Sequence, residues 1–492
     1  MAWNSRVMNP AWPPFGERQA TPLYVGRPQY RKLVVLLDAD VLPEADLAAW
    51  GKAYLLAGLL TLDVVECFRY ADDGPPSDAP RRSDTYMGEV VPGWAVLSPD
   101  DGLGNRIALT GDQHRATQHA VVGNAPDVAA EDTRTGVYSD CDPADAAAQR
   151  RADVLAAMVA NAIGADLFIT RRPYLYAMSW NAADGVTFVD VGEALTAVAL
   201  YLRAQRRYVT SRSLDGRGTH TMNRGLFFWV GARELLPSAW RWFAGCVQHR
   251  TGSGDDSLLF LGQSVLQRVQ RALQVRDEVH VELNKPQNND TADEALSSLD
   301  VLLLLLMGAV DATARVARAV LGLSSPMYTA AWQRSGWLTE VVASAPTLGA
   351  LFQAGTDDLH TLTILRLLRN SIHGAAMQPL GVRRGRQRDR TLVGLPASDE
   401  PELRTAFNAL GGLAAWGVEE LIPGRLHFDP GVFLEELLPR VLGMLNRIMD
   451  ETPVERLAHV ALQARDYLPP IGPGSGSFVE MNRQSIRWQL GL

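Results

Sequence analysis

The chain has 492 residues, 47% of them hydrophobic and 21% charged, with a formal net charge of −8 and a pI near 5.7. That length exceeds what one hydrophobic core serves, and that composition excludes wholesale disorder, so two or more packed domains are expected. An acidic molecule repels polyanions as a whole, which excludes nucleic-acid binding by bulk charge and leaves only local basic patches to do it.

Residues 1–30 are rich in proline and aromatics, but no basic stretch precedes an apolar core, so they read as an extended segment and not as a secretory signal. Three widely spaced cysteines, Cys67, Cys141 and Cys246, offer neither a disulfide framework nor a thiolate metal site, which fits a reducing cytoplasm.

The run from Arg31 to Leu42 is continuously apolar and β-branched, as in a strand covered on both faces, and Asp38 and Asp40 stand at its C-terminal end. Pro43 and Glu44 open a helix to about Leu60, and a second strand follows over Leu62 to Phe68. Ala71 to Asp84 reads as a loop, Glu89 to Leu97 as extended, and Asp100 to Ala130 as mostly loop. Pro143 to Ile163 has helical spacing, with Gly164 as its stop. Ala165 to Thr170 and Val186 to Val191 are short strands, and Glu193 to about Arg206 is a helix. Strands alternating with helices predict an α/β domain with a mostly parallel sheet over 31–206.

Residues 207–256 form a connecting subdomain with three tryptophans. From Ser257 the periodicity is helical: Ser257 to Val281, Asp293 to Leu321, Asp357 to His373, Pro401 to Glu420 and Pro430 to Asp450. An all-α domain over 257–465 is therefore expected, followed by a flexible tail over 466–492 that opens near Gly472 to Ser477. The apolar window Val301 to Val310, bounded by Asp300 and Asp311, is far shorter than the roughly 20 residues of a bilayer span and predicts a core helix with no membrane role.

Two sets of residues carry chemistry. In the first domain, Asp38, Asp40, Asp63, Glu66 and Asp153 are expected near the carboxyl edge of the sheet, where open α/β folds bind ligands. Clustered carboxylates there would hold Mg²⁺ or Mn²⁺ and activate water against a phosphodiester. Aspartates that merely end strands and cap helices fit the same pattern. His114 and His119 have no evident third ligand, and no glycine loop ending in Gly-Lys-Ser/Thr cradles a phosphate.

In the helical domain, Thr356 is a candidate N-cap, Asp357 and Asp358 complement the first turn, and Gly374 is the stop. On such a helix Arg366, Arg369 and His373 fall within about 60° of one another, apart from a separate apolar stripe of Leu365, Leu368 and Ile372. Stacked cations repel unless an anion neutralises them, which points to a carboxylate, a phosphate or an RNA backbone. Histidine transfers protons near neutral pH, the arginines can stabilise charge on phosphorus, and Asn370 can orient either partner. A further basic run, Arg383, Arg384, Arg386, Arg388 and Arg390, reads as an exposed loop able to grip phosphates.

The segment Leu368-Arg369-Asn370-Ser371-Ile372-His373-Gly374, late in a helix of a helical domain, resembles the HEPN superfamily, whose signature is an arginine followed at short distance by histidine. Arg366 and His373 enclose six residues and fit that spacing, whereas Arg369 and His373 enclose only three. The resemblance implies a metal-independent endoribonuclease of stress or antiviral-defence type, with no cofactor at this site, acting as a homodimer on RNA. Non-catalytic members imply the alternative of a dimerising sensor or scaffold.

The layout of Asp38, Asp153 and Gly164 to Thr170 is similar to PIN-type nucleases, which place an acid on the first strand, one in a helix and one just after a Thr near the end of a later strand. Here Arg171 and Arg172 follow the Thr, which departs from that pattern. Asp38-Ala39-Asp40 also resembles the paired aspartates of haloacid-dehalogenase-type phosphatases, without the Gly and Thr that usually follow.

Overall fold

The computed structural model describes residues 32–75, 93–100, 104–110, 118–121, 123–178, 180, 183, 185–214, 218–285, 287–374, 376–384, 387–467 and 478–492. The chain forms two compact units, Met1–Met222 with Trp488–Gly491, and Asn223–Arg487 with Leu492.

In the first unit β1 (Leu33–Asp38) lies inside a seven-stranded sheet. After it come α1 (Glu44–Leu47), α2 (Lys52–Leu59), β2 (Val65–Tyr70), β3 (Gly93–Asp100), β4 (Gly104–Thr110), β5 (Gln118–Val121) and α3 (Ala125–Glu131). Then follow α4 (Pro143–Ala162), β6 (Leu167–Ile169), α5 (Pro173–Ala177), β7 (Thr187–Val189), α6 (Val191–Ala204) and a hairpin of β8 (Val209–Arg212) and β9 (Thr219–Thr221). The sheet order is β5-β4-β3-β2-β1-β6-β7. β3, β2, β1, β6 and β7 run parallel, and β4 and β5 extend them antiparallel. Leu33, Val35 and Leu36 are fully buried, as a strand covered on both faces requires. The core around Leu36 includes Phe68 of β2, Phe168 of β6 and Val154, Ala156 and Ala157 of α4. Asp142 caps α4 through the backbone N–H of Ala144, and Gly164 ends the turn after it at φ +69°.

The second unit opens with α7 (Arg224–Leu235) and α8 (Ala239–Ser253), followed by the paired long helices α9 (Ser257–Leu283) and α10 (Asn289–Val320). α11 (Ser335–Ser344), α12 (Pro346–Ala350) and α13 (Asp357–Ser371) come next. β10 (Gln378–Arg384) and β11 (Gln387–Gly394) form a hairpin before α14 (Glu400–Ala409), β12 (Val418–Ile422), β13 (Arg425–Phe428), α15 (Pro430–Glu451) and α16 (Phe478–Leu490). Among the described residues, α10 is the one helix long and apolar enough to cross a membrane by composition. Its Leu302, Leu303 and Leu306 are fully buried, so it serves as a core helix of this unit.

Four expectations are corrected. The second unit is not all-α, because it carries a four-stranded antiparallel sheet ordered β10-β11-β13-β12. The connecting subdomain does not exist as a body: β8 and β9 belong to the first unit, while α7 and α8 belong to the second. The stretch read as loop between Asp100 and Ala130 contains β4, β5 and α3. The tail ends in structure, with Leu490 buried and Gln489 Nε2 donating to Val209 O at 2.8 Å.

Candidate functional site

Parallel pairing decides which acids meet. Asp38 stands opposite Tyr70 at the carboxyl ends of β1 and β2, and Leu37 stands opposite Ile169 of β6. Thr170, the residue after β6, therefore arrives beside Asp38 and donates its hydroxyl to Asp38 Oδ2. The backbone N–H of Arg172 donates to Thr170 Oγ1 at 3.1 Å, which turns the arginine side chain back over the sheet edge.

The Arg172 guanidinium then fills the space among three carboxylates. Nε donates to Asp38 Oδ2 at 3.0 Å, and Nη2 donates to Asp38 Oδ1 and Asp72 Oδ1, both at 3.1 Å. Nη1 reaches Asp153 Oδ1 at 3.4 Å, and the cation lies 5.7 Å from the centroid of the Tyr70 ring. Tyr138 donates its hydroxyl to Asp153 Oδ2 at 2.9 Å from a backbone held at φ +64°, a conformation costly for a residue with a side chain. Asp38 is 2% exposed and Asp153 3%, whereas the Asp72 side chain is 47% exposed.

Charge and burial compete here. Burial raises the Asp38 carboxyl above its ordinary range, against the pull of Arg172 and Thr170. Burial likewise pushes Asp153 up to about 6, opposed by Tyr138 and Arg172. Burial alone would lower Arg172, but Asp38, Asp72 and Asp153 outweigh it and hold the guanidinium charged.

The expected metal-binding set is only partly assembled. Asp38 and Asp153 both hydrogen-bond Arg172, and Asp40 lies exposed two residues past β1, outside the hydrogen bonds of Arg172. Asp63 and Glu66 do not join them. Glu66 pairs in register with Val34, four residues along β1 from Asp38, or about 13 Å at the rise of a strand. Asp63 precedes β2 at the opposite end, where Arg207 Nη2 donates to its Oδ2 at 2.9 Å and hydrogen bonding lowers its pKa. Asp72 was missed because it sits in sequence that reads as loop. Its position just past the carboxyl end of β2 is the signal that finds it. A divalent cation does not fit this donor set, because the guanidinium already takes an oxygen from each of the three acids.

In the second unit Thr356 caps α13, accepting from Leu359 N at 3.3 Å, and Leu365 and Leu368 are fully buried. The helix ends at Ser371, and the N–H of His373 donates to Asn370 O, three residues back, at 3.1 Å. His373 thus stands in a turn beyond the helix, not on the helical face expected for it. It is exposed, as is Asn370, while Arg369 is half-buried. Arg369 Nη1 donates to Asn370 Oδ1 at 3.2 Å, and Arg366 pairs with Glu402 Oε1 at 2.7 Å. Of the two arginines, Arg366 has a carboxylate partner and, among the described residues, Arg369 hydrogen-bonds only a neutral amide.

The basic run is a β-hairpin and not a loop. Arg383 and Arg384 fall on β10 and Arg388 and Arg390 on β11, while Arg386 lies outside the described residues, as do the side chains of Arg383, Arg384 and Arg388. Arg390 is mostly buried and paired with Glu419, so it is not part of an open patch. His119 falls on β5, its side chain outside the described residues, as is His114. No family model, curated protein or solved structure matches this chain. What fold and geometry define is an α/β unit with an arginine-filled acidic site and a mainly helical unit with an arginine–asparagine–histidine turn.

Proposed function

We propose that the protein is an RNA-directed endoribonuclease of stress or defence type, working in the cytoplasm as a homodimer and cutting through the HEPN-like turn of its second unit. The observation that carries this reading is an exposed imidazole, His373, four residues after an arginine, Arg369, whose side chain has, among the described residues, the neutral Asn370 as its one hydrogen-bond partner. In this reading His373 takes the proton of a ribose 2′-hydroxyl, the 2′-oxygen bonds to the adjacent phosphorus, and the bond to the 5′-oxygen breaks. Arg369 stabilises the charge that builds on the phosphoryl oxygens. The 5′-oxygen leaves with a proton from the same motif of the second copy, and no metal takes part.

The test is cleavage of single-stranded RNA in EDTA. Wild type is expected to cut, and His373→Ala to lose about 10²-fold or more of that rate, the size of a general acid–base contribution. Cleavage that survives His373→Ala, or that requires Mn²⁺, ends this reading.

The first unit supports a different role. Asp38 on the first strand, Asp153 on a helix and Thr170 before the arginines follow a PIN-type layout, yet Arg172 occupies the site such nucleases keep for metal. That observation favours a second reading, a non-catalytic dimerising scaffold whose nuclease-like sites have decayed. Stable self-association without turnover or RNA retention would select it.

A further inference from the structure

Gly308 of α10 has no side chain, and the side chain of Arg268, from α9, lies across the gap. A Cβ at 308 would meet Arg268 Nε at 2.9 Å and Cδ at 3.1 Å. The Arg268 guanidinium is steadied there by Ser264 Oγ, which accepts from Nη1 at 2.7 Å. Almost one turn further along α10 is Asp311, and Arg315 follows four residues after it, a spacing that puts both on one helix face. α13 packs against α10, and its Arg369 lies near enough for its charge to act on Asp311.

Asp311 is half-buried and feels the positive charge of Arg315, Arg369 and Arg268, though burial is the larger influence and raises its pKa. Among the described residues it makes no hydrogen bond or close ion pair with any of them. Arg315 is exposed and, among the described residues, makes no close ion pair with a carboxylate. Three guanidinium groups therefore act on one carboxylate that, among the described residues, none of them grips, and the group as a whole keeps a net positive charge.

We propose that Arg268, Arg315 and Arg369 form one seat for a backbone phosphate of RNA, with Asp311 as the group that offsets their mutual repulsion until the phosphate arrives. This rests on the RNA reading above and adds two helices to a site that the motif on α13 alone does not complete. A phosphodiester takes two guanidinium forks without a proton transfer, and Asp311 opposes it by like charge. A free polyphosphate carries the same chemistry, so the two sources are separated by the probes.

The experiment measures binding of a labelled single-stranded oligoribonucleotide and, separately, of tripolyphosphate to the full chain as salt is varied. The Arg268→Ala/Arg315→Ala pair is expected to weaken RNA binding about tenfold and to reduce the salt slope by about 0.7, the share of one phosphate on a single strand. Arg268→Lys/Arg315→Lys keeps the charge and loses the forks, so it should recover part of the affinity. Asp311→Asn should bind RNA several-fold more tightly, which a purely structural carboxylate would not produce. Unchanged affinity and slope in the alanine pair, with cleavage still lost in His373→Ala, overturns the seat and leaves the RNA reading standing. Tripolyphosphate binding that depends on these arginines, without RNA binding, keeps the seat and overturns the RNA reading. No binding of either probe by the wild type overturns both.

Discussion

Replacing Arg172 with alanine is expected to destabilise the first unit by about 3–5 kcal/mol and to give it an affinity for Mn²⁺ that the wild type lacks. Arg172 is the cation hydrogen-bonded to both Asp38 and Asp153, and each of those carboxylates is at least 95% buried. Removing it leaves two charges in a poorly solvated place, and they can respond only by taking up protons or a metal ion. The proton response has a definite sign. Asp153 titrates at about 6 in the folded protein against 3.8 for an ordinary carboxyl, so between those values the fold holds a proton that the unfolded chain has released. Stability from this group therefore falls as pH rises through that window, and the fall should extend to higher pH without Arg172. The metal response follows from mass action: Mn²⁺ at a hundred times its dissociation constant adds about 2.7 kcal/mol to the variant. Denaturant unfolding with and without Mn²⁺ measures both. An equal Mn²⁺ shift in wild type and variant would sink the idea that the guanidinium stands where a metal would.

How far the sequence foretold this site depends on what each residue's position rests on. Asp38 was legible because β1 is a long apolar run whose end is unmistakable, and Asp153 because α4 has clear caps and spacing. Asp63 and Glu66 were misplaced because nearness to β2 in sequence does not tell which end of the strand a residue occupies. The register of Leu33 with Val65 decides that, and it is a long-range fact. β4 escaped notice for a related reason: its hydrogen bonds go to β3 and β5, and its residues alternate between buried and exposed without a strong apolar signature. The hairpin of β10 and β11 is written in arginine, glycine and glutamine, residues that read as loop until tertiary pairing makes them strands. By contrast, the over-long helix expected from Pro401 to Glu420 carried its own warning. Gly411 and Gly412 sit at φ +110° and +93°, which no helix adopts, and adjacent glycines are the usual mark of such a break. His373 fell beyond its helix by the same kind of margin, since Gly374 signals an ending without saying which preceding residue is the last helical one.

Glu435→Gln is expected to cost the second unit about 3–5 kcal/mol, or roughly 10 °C in its thermal midpoint, although the two side chains have the same shape. Glu435 on α15 joins two residues of α9 in a triad sealed from water, with side-chain exposures of 0% for Arg276 and 2% for both Glu435 and His280. Arg276 Nε donates to Oε1 at 2.7 Å, Arg276 Nη2 to Oε2, and His280 Nε2 lies 2.6 Å from Oε1. Burial alone would raise the Glu435 carboxyl, but Arg276 and His280 overcome it and hold it down at about 2. Its folded value lies below the ordinary 4.5, so the stability it contributes is present above pH 4.5 and is lost as pH falls towards 2. An amide removes that acid dependence and also turns its NH₂ group towards donors, depriving a buried guanidinium of the Glu435 charge. If the cost comes from the lost charge of Glu435, replacing Arg276, His280 and Glu435 together by apolar residues of similar volume should restore most of the stability. If the triple variant is as unstable as Glu435→Gln, the loss comes from packing between α9 and α15, and the electrostatic account fails.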